Sequence, residues 1–237
     1  MADIAEVDDD IREHILAVSE KTGFVPNVFL SLARRPDEFR AFFAYYDALM
    51  EKETGNLTKA DREMIVTATS AANHCLYCVV AHGAVLRIYA KDPFVADQVA
   101  VDYAHADITD RQKAMLDFAM TVAQAPWTIT EEDHAALAAH GFDAEDAWDI
   151  AAITGFFGLS NRMAHIAGMR PNPEFHLMGR TPREKGSTEA TAAFDTAGSR
   201  EPADTDAPAP TETARQPSES TATRPPTTPT PKEANRR

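Results

Sequence analysis

Long apolar runs, cysteine and positive charge are all scarce in this sequence of 237 residues. No stretch approaches the roughly 20 apolar residues that span a bilayer. Residues 1–6 also lack the basic and then apolar order of a secretory signal. We therefore expect a cytoplasmic protein without a membrane partner. Cysteine occurs only twice, at Cys75 and Cys78, and two cytoplasmic cysteines this close together favour metal binding or redox chemistry over a permanent structural bridge.

The shortage of positive charge is confined to residues 1–179, which contain 14 Lys and Arg residues against 28 Asp and Glu residues. Residues 180–237 contain nine of each, so the net charge of −14 lies entirely on the first part of the chain. A strongly acidic domain repels phosphate backbones and anionic lipids. This argues against nucleic acid and membrane surfaces as partners, and solubility is the plainest explanation of the charge.

Aromatic residues are nearly absent from residues 180–237, where Phe194 stands alone and nine of the 15 prolines are found. Such a segment buries too little apolar surface to offset the entropy lost on ordering. We therefore predict a disordered tail, rich in Pro, Thr and Ala, over residues 180–237. Residues 1–179 are predicted to form one domain, which is large enough for a hydrophobic core.

Strand signals are missing as well, because convincing alternating runs and Asn-Gly hairpin turns do not occur. Apolar residues recur instead at three- and four-residue spacing, as in Ile11, Ile15 and Val18. Capping boxes such as Thr109 to Gln112 mark helix starts. We predict about eight helices with short connections, and therefore an all-α, bundle-like domain. The predicted helical segments are residues 8–20, 36–50, 58–72, 75–89, 94–101, 109–125, 130–141 and 143–163.

The densest group of reactive residue types is Cys75, Cys78 and His82. At 100° per residue these three side chains point within about 60° of one another on a helix. Two thiols three residues apart also lie near the separation of about 5–6 Å between Cα atoms that a disulfide accepts. The pair can therefore cycle between dithiol and disulfide without a large movement of the backbone.

This grouping favours thiolate chemistry. A helix N-terminus and a nearby basic group both lower the pKa of a thiol, and His82 can accept the thiol proton directly or through water. A thiolate that attacks a peroxide becomes a sulfenic acid, which a second thiol converts to a disulfide. A base works better when a third group orients it, and Glu63 is the best candidate. If the chain turns at Asn73, Glu63 and His82 lie level on neighbouring helices.

Less specific interpretations compete with this one. The two cysteines and His82 could be zinc ligands completed by a further histidine, although structural zinc sites usually have a second ligand pair. The thiols could also be small buried residues without a function, and Glu63 could be a solvated helix residue. The candidate fourth zinc ligands are His74, His105 and His165, and the histidines expected at the surface are His14, His134, His140 and His176.

The pattern Glu63, eleven intervening residues, Cys75-x-x-Cys78 and then x-x-x-His82 resembles the alkyl hydroperoxidase AhpD-like family, within the carboxymuconolactone decarboxylase superfamily. The similarity extends over about residues 20–178. Asn161-Arg162 is similar to the branch called peroxidase-related enzymes.

The resemblance implies an AhpD-like helical bundle, usually a homo-oligomer, with peroxide reductase activity and no bound organic cofactor or metal. It also implies that Cys78 is the peroxidatic thiol, Cys75 the resolving thiol, and Glu63 and His82 a proton relay. The substrate would be an alkyl hydroperoxide or hydrogen peroxide, and a lipoyl- or thioredoxin-type protein would supply the reducing dithiol. The best-known members have a histidine where this chain has Tyr77, whose phenol titrates near pH 10 and is no base at neutral pH.

Two other functions stay open at this point. One is a lactone decarboxylase, which the superfamily suggests but which needs no dithiol. The other is a non-catalytic protein that responds to redox state or holds zinc.

Overall fold

The computed structural model describes residues 2–52 and 55–180, and within these ranges the chain forms nine α-helices and no β-strand. The all-α prediction is therefore confirmed. The predicted tail, apart from Arg180, lies outside the described residues. The helices are α1 (Asp9–Thr22), α2 (Asn27–Leu32), α3 (Pro36–Met50), α4 (Lys59–Ala72), α5 (Leu76–Ala90), α6 (Val95–Asp102), α7 (Asp110–Gln124), α8 (Glu131–Ala139) and α9 (Ala144–Ile166).

Local sequence signals explain where most helices begin. Thr58 and Asp61 form a capping box at the start of α4, and Thr109 and Gln112 form the predicted one at the start of α7. Proline stands at the first position of α3, where its missing N–H costs nothing. The exception is α2, which lies outside the predicted segments because six residues are too few to display helical periodicity.

Helix α4 lies at the centre of the largest hydrophobic cluster, and it packs against α5, α6, α7 and α9. All of its residues from 61 to 70 are buried, polar ones included. The polar side chains have partners: the Thr67 hydroxyl donates to the carbonyl of Glu63 at 2.8 Å, and Arg62 pairs with Asp149 of α9 at 3.0 Å. A helix that is buried on every side can hold ionisable groups away from water, which is the setting of the candidate site.

A second cluster joins α1, α2 and α3 through aromatic rings. Phe29 and Phe43 stack with 4.4 Å between ring centroids, and Phe39 is almost fully buried beside them. Phe39 and Phe43 of α3 therefore belong to the core, and the partly buried Phe42 packs against it. Among the described residues, no helix is both long and apolar enough to cross a membrane.

Arginine side chains connect the segment after α9 to helices α5 and α6. Arg87 donates to the carbonyls of Phe175 and Met178 at 2.8 and 2.9 Å. Arg180 pairs with Asp97 of α6 at 2.7 Å. These bonds hold Phe175 in a third cluster, which contains both cysteines.

Candidate active site

A tight turn between α4 and α5 creates the site. Helix α4 ends at Ala72, and His74 adopts a left-handed conformation with φ 54° before Cys75 caps the N-terminus of α5. A positive φ is uncommon for a residue other than glycine, and histidine is among the types that tolerate it. The turn predicted at residues 72–74 is confirmed, and it places α4 and α5 side by side.

The two cysteine sulfur atoms are in direct contact. The Sγ atoms of Cys75 and Cys78 lie 2.8 Å apart, and both thiols are free and only 1 % exposed. Cys75 is the N-cap residue, so its sulfur also accepts the backbone N–H of Cys78 at 3.4 Å. A disulfide needs about 2.05 Å between sulfurs, so a small movement is enough to form one.

The pair holds its negative charge unequally. The hydrogen bond from the Cys78 thiol lowers the pKa of Cys75 to about 6, with help from the Cys78 backbone N–H and the charge of His165, while burial acts in the opposite direction. The pKa of Cys78 is raised, first by its hydrogen bond to Cys75 and then by burial. The helix N-terminus thus favours a thiolate at Cys75, its N-cap residue, and a thiolate there suppresses ionisation of the neighbouring Cys78.

Glu63 of α4 and His82 of α5 meet as the turn predicts. Glu63 Oε2 lies 2.7 Å from His82 Nδ1, and Glu63 is buried rather than solvated. An ionised carboxylate only accepts hydrogen bonds, so Nδ1 carries the hydrogen and Nε2 of neutral His82 is the basic nitrogen. The ring is also packed edge-on against Phe157 at 4.6 Å. His82 is thus fixed in position and in tautomer.

Tyr77 has a structural contact where better-known relatives have a histidine. Its hydroxyl oxygen accepts the backbone N–H of Val28 at 3.2 Å, at the start of α2. Burial is the main cause that raises its pKa. The phenol therefore stays protonated and links α2 to α5, and it does not act as a base.

Asn161 of α9 organises the turn before Cys75. Its side-chain oxygen accepts from the Asn73 amide at 2.8 Å, and its own amide donates to the Ser70 hydroxyl at 2.9 Å. It also lies close enough to both cysteines to lower their pKa values. The sequence pattern did not assign Asn161 to the site. The available signal was its position four residues after Phe157, which places both side chains on the same face of the helix.

A cavity of about 90 Å³ opens beside the cysteine-bearing helix, and both Cys78 and His82 line it. Cys75 is not among the lining residues, although it is in contact with Cys78. Most of the wall is apolar. The apolar side chains include Val18, Val28, Phe29, Phe43, Phe157 and Phe175.

His14 belongs to this wall, and the expectation that it is a surface residue is wrong. Its ring lies 5.3 to 5.6 Å from the rings of Phe29, Phe39 and Phe43, and burial lowers its pKa. The signal was its position four residues before Val18 on the apolar stripe of α1. The other three histidines expected at the surface, His134, His140 and His176, are exposed.

No group of three His, Cys, Asp or Glu side chains within residues 2–52 and 55–180 is arranged to hold a metal ion. Of the histidines considered as a fourth zinc ligand, His105 is exposed and pairs with Asp102, and His165 contacts the carbonyl of Asn73.

Comparison with known families and structures points to one group. The model of the Carboxymuconolactone decarboxylase family matches residues 36–93, which include Glu63, both cysteines and His82. The chain is 69% identical to a peroxidase-related protein of Ralstonia eutropha JMP134, described as an alkylhydroperoxidase AhpD core, with a TM-score of 0.75 over 76% of this chain and 95% of that one.

A peroxidase-related protein of Silicibacter sp. TM1040 is 39% identical, with a TM-score of 0.70 over 74% of this chain and 91% of that one. The debrominase Bmp8 shares the fold at 19% identity, with a TM-score of 0.59 over 72% and 90% of the two chains. No curated protein matches the sequence.

Proposed function

Because this chain belongs to the AhpD-like, peroxidase-related branch of the carboxymuconolactone decarboxylase family, we propose that it is a thiol peroxidase that reduces hydroperoxides through Cys78 and Cys75. Glu63 and His82 serve as its proton relay. The apolar wall of the cavity favours alkyl hydroperoxides over hydrogen peroxide, since an apolar wall binds hydrocarbon better than it binds a small polar molecule.

One observation carries the proposal: Cys78 lines a cavity together with an oriented base, and the sulfur of a second thiol is in contact with its own. Peroxide reduction by a dithiol needs these three things, namely an accessible nucleophile, a proton acceptor and a resolving thiol. A buried thiol pair without a function requires none of them.

Access to the cavity favours Cys78 as the attacking sulfur, although Cys75 is the thiol that ionises more readily in the reduced pair. Only Cys78 of the two lines the cavity. Its proton can pass to the Cys75 sulfur 2.8 Å away or to Nε2 of His82, whose Nδ1 is held by Glu63. Reaction then proceeds through a minor protonation state of the pair, which is acceptable where proton exchange is faster than attack.

Peroxide reduction takes place in two steps. The Cys78 thiolate attacks the terminal oxygen of the hydroperoxide, the O–O bond breaks, and Cys78 becomes a sulfenic acid while the alkoxide takes a proton from the relay to leave as an alcohol. The Cys75 thiolate then attacks the Cys78 sulfur and releases hydroxide, which is protonated to water. The two thiols are oxidised to a disulfide, and the hydroperoxide is reduced.

A dithiol protein of the lipoyl or thioredoxin type would reduce the disulfide by thiol–disulfide exchange and become oxidised itself. This reductant, a cytoplasmic location and a homo-oligomeric assembly stay predictions.

The test is consumption of cumene hydroperoxide by the full chain, with dithiothreitol as reductant, for wild type and two variants. Cys78→Ser should lose turnover. Cys75→Ser should form one stable sulfenic acid, detectable by trapping with a dimedone reagent and mass spectrometry. Normal turnover by Cys78→Ser would contradict the proposal, and a sulfenic acid on Cys75 instead would reverse the two roles.

The family name also suggests a lactone decarboxylase. Such an enzyme needs no dithiol, so decarboxylation of a carboxymuconolactone that survives alkylation of both cysteines would favour this second function.

A further inference from the structure

Tyr46 of α3 lies beside the reactive groups without belonging to the family pattern. It lines the same cavity as Cys78 and His82. Its ring centroid is 6.4 Å from that of His82 and 6.4 Å from that of Phe157. A phenol is therefore placed next to the proton relay, on the side of the cavity that α3 contributes.

The Tyr46 hydroxyl has no hydrogen-bond partner among the residues that the structure describes. The Glu63 carboxylate nearby is paired with His82. Burial, followed by the negative charge of Glu63, raises the pKa of Tyr46 well above its ordinary value. The hydroxyl consequently keeps its proton at physiological pH and is free to donate it in a hydrogen bond to a molecule in the cavity.

The proposed chemistry needs such a donor. When the O–O bond breaks, negative charge develops on the leaving alkoxide oxygen before a proton reaches it, and a prepositioned donor stabilises that charge. The second phenol of the cavity, Tyr77, is held against the backbone of Val28.

We propose that the Tyr46 hydroxyl donates a hydrogen bond to the leaving oxygen of the hydroperoxide while Cys78 attacks the terminal oxygen. Tyr46 keeps its proton throughout, and the alkoxide takes the proton that Nε2 of His82 accepted from the Cys78 thiol. The inference rests on the proposed peroxidase function and adds one catalytic residue to it.

The experiment compares Tyr46→Phe with Tyr45→Phe, a matched control in which the neighbouring, half-exposed tyrosine outside the cavity loses the same hydroxyl. Three reactions of reduced protein are measured by stopped flow: with tert-butyl hydroperoxide, with peracetic acid, and with iodoacetamide. Thermal unfolding of all variants is recorded in parallel.

Tyr46→Phe should react with tert-butyl hydroperoxide about 10- to 100-fold more slowly, because a strongly basic alkoxide leaves without its donor. The loss with peracetic acid should be several times smaller, since acetate is a weak base. Alkylation by iodoacetamide should be unchanged, because no oxygen leaves. Tyr45→Phe should match wild type in all three reactions.

Equal losses with both peroxides, or a parallel loss with iodoacetamide, would overturn the inference, since Tyr46 would then act on the thiolate or on packing. Wild-type rates in Tyr46→Phe would also overturn it, and would leave the peroxidase function standing. If wild type failed to reduce both peroxides while iodoacetamide still reacted, the result would contradict the proposed peroxidase function itself, and not only the role of Tyr46.

Discussion

The carboxylate of Glu63 and Nδ1 of His82 are 2.7 Å apart, with side chains that are only 4% and 15% exposed. Because the local dielectric constant is low where side chains are buried, a charge-assisted hydrogen bond is stronger here than at the surface. The contact decides which ring nitrogen of His82 is basic, and hence whether the relay can accept a proton from the cavity.

Replacing the carboxylate by an amide should therefore impair the relay. Glu63→Gln keeps the shape but can donate to Nδ1 through its NH₂ group, so the tautomer with the hydrogen on Nε2 becomes accessible. We expect kcat/KM for cumene hydroperoxide to fall about 10- to 100-fold. Steady-state peroxide consumption measures the effect, and Glu132→Gln on the exposed face of α8 is the control. Wild-type kinetics in Glu63→Gln would show that the pair is only structural.

The thiolate of the reduced pair should form at unusually low pH. Because the pKa of Cys75 is lowered to about 6, alkylation by iodoacetamide should rise through about that pH and level off above it. An ordinary cysteine rises near about pH 8.5. Cys78→Ser should keep a midpoint below that ordinary value, since the N-cap hydrogen bond to Cys75 survives, whereas Cys75→Ser should move the midpoint upward. A common midpoint for both variants would contradict the unequal pair.

Asn161 should stabilise both the fold and the thiolate. In Asn161→Ala, the Ser70 hydroxyl and the Asn73 amide lose their partner, so the free energy of unfolding should fall by about 1–3 kcal/mol. Urea denaturation followed by circular dichroism measures this.

The charged variant Asn161→Asp separates the two effects. It retains an acceptor for Asn73 and adds a negative charge near the sulfurs, so the alkylation midpoint should rise above that of wild type. An unchanged midpoint would mean that Asn161 only supports the turn.

Tyr77→Phe tests the position at which relatives have a histidine. The variant removes the acceptor for the backbone N–H of Val28, so we expect a loss of about 1 kcal/mol in unfolding free energy. The pH midpoint of alkylation should not change, because the Tyr77 phenol takes no part in proton transfer between the thiols and His82. A shifted midpoint would contradict this interpretation.

Local patterns in the sequence were sufficient for much of the fold and part of the site. Capping at Thr58 and Thr109 located helix starts, and the spacing of Cys75, Cys78 and His82 identified one helical face. The turn at Asn73 brought Glu63 level with His82 because equal numbers of residues on two neighbouring helices give equal lengths.

The remaining residues of the site lie on helices that are distant in sequence. The spacing of residues along one helix does not predict which distant helices pack together. His14, Tyr46 and Asn161 come from α1, α3 and α9, and they meet the cysteines only through the angles at which these helices pack. Which sulfur carries the charge was likewise undecided, because it depends on burial and on the 2.8 Å contact between the two atoms. By itself the sequence determined the helices and the reactive residue types; tertiary packing decided which of them share a cavity and where the proton resides.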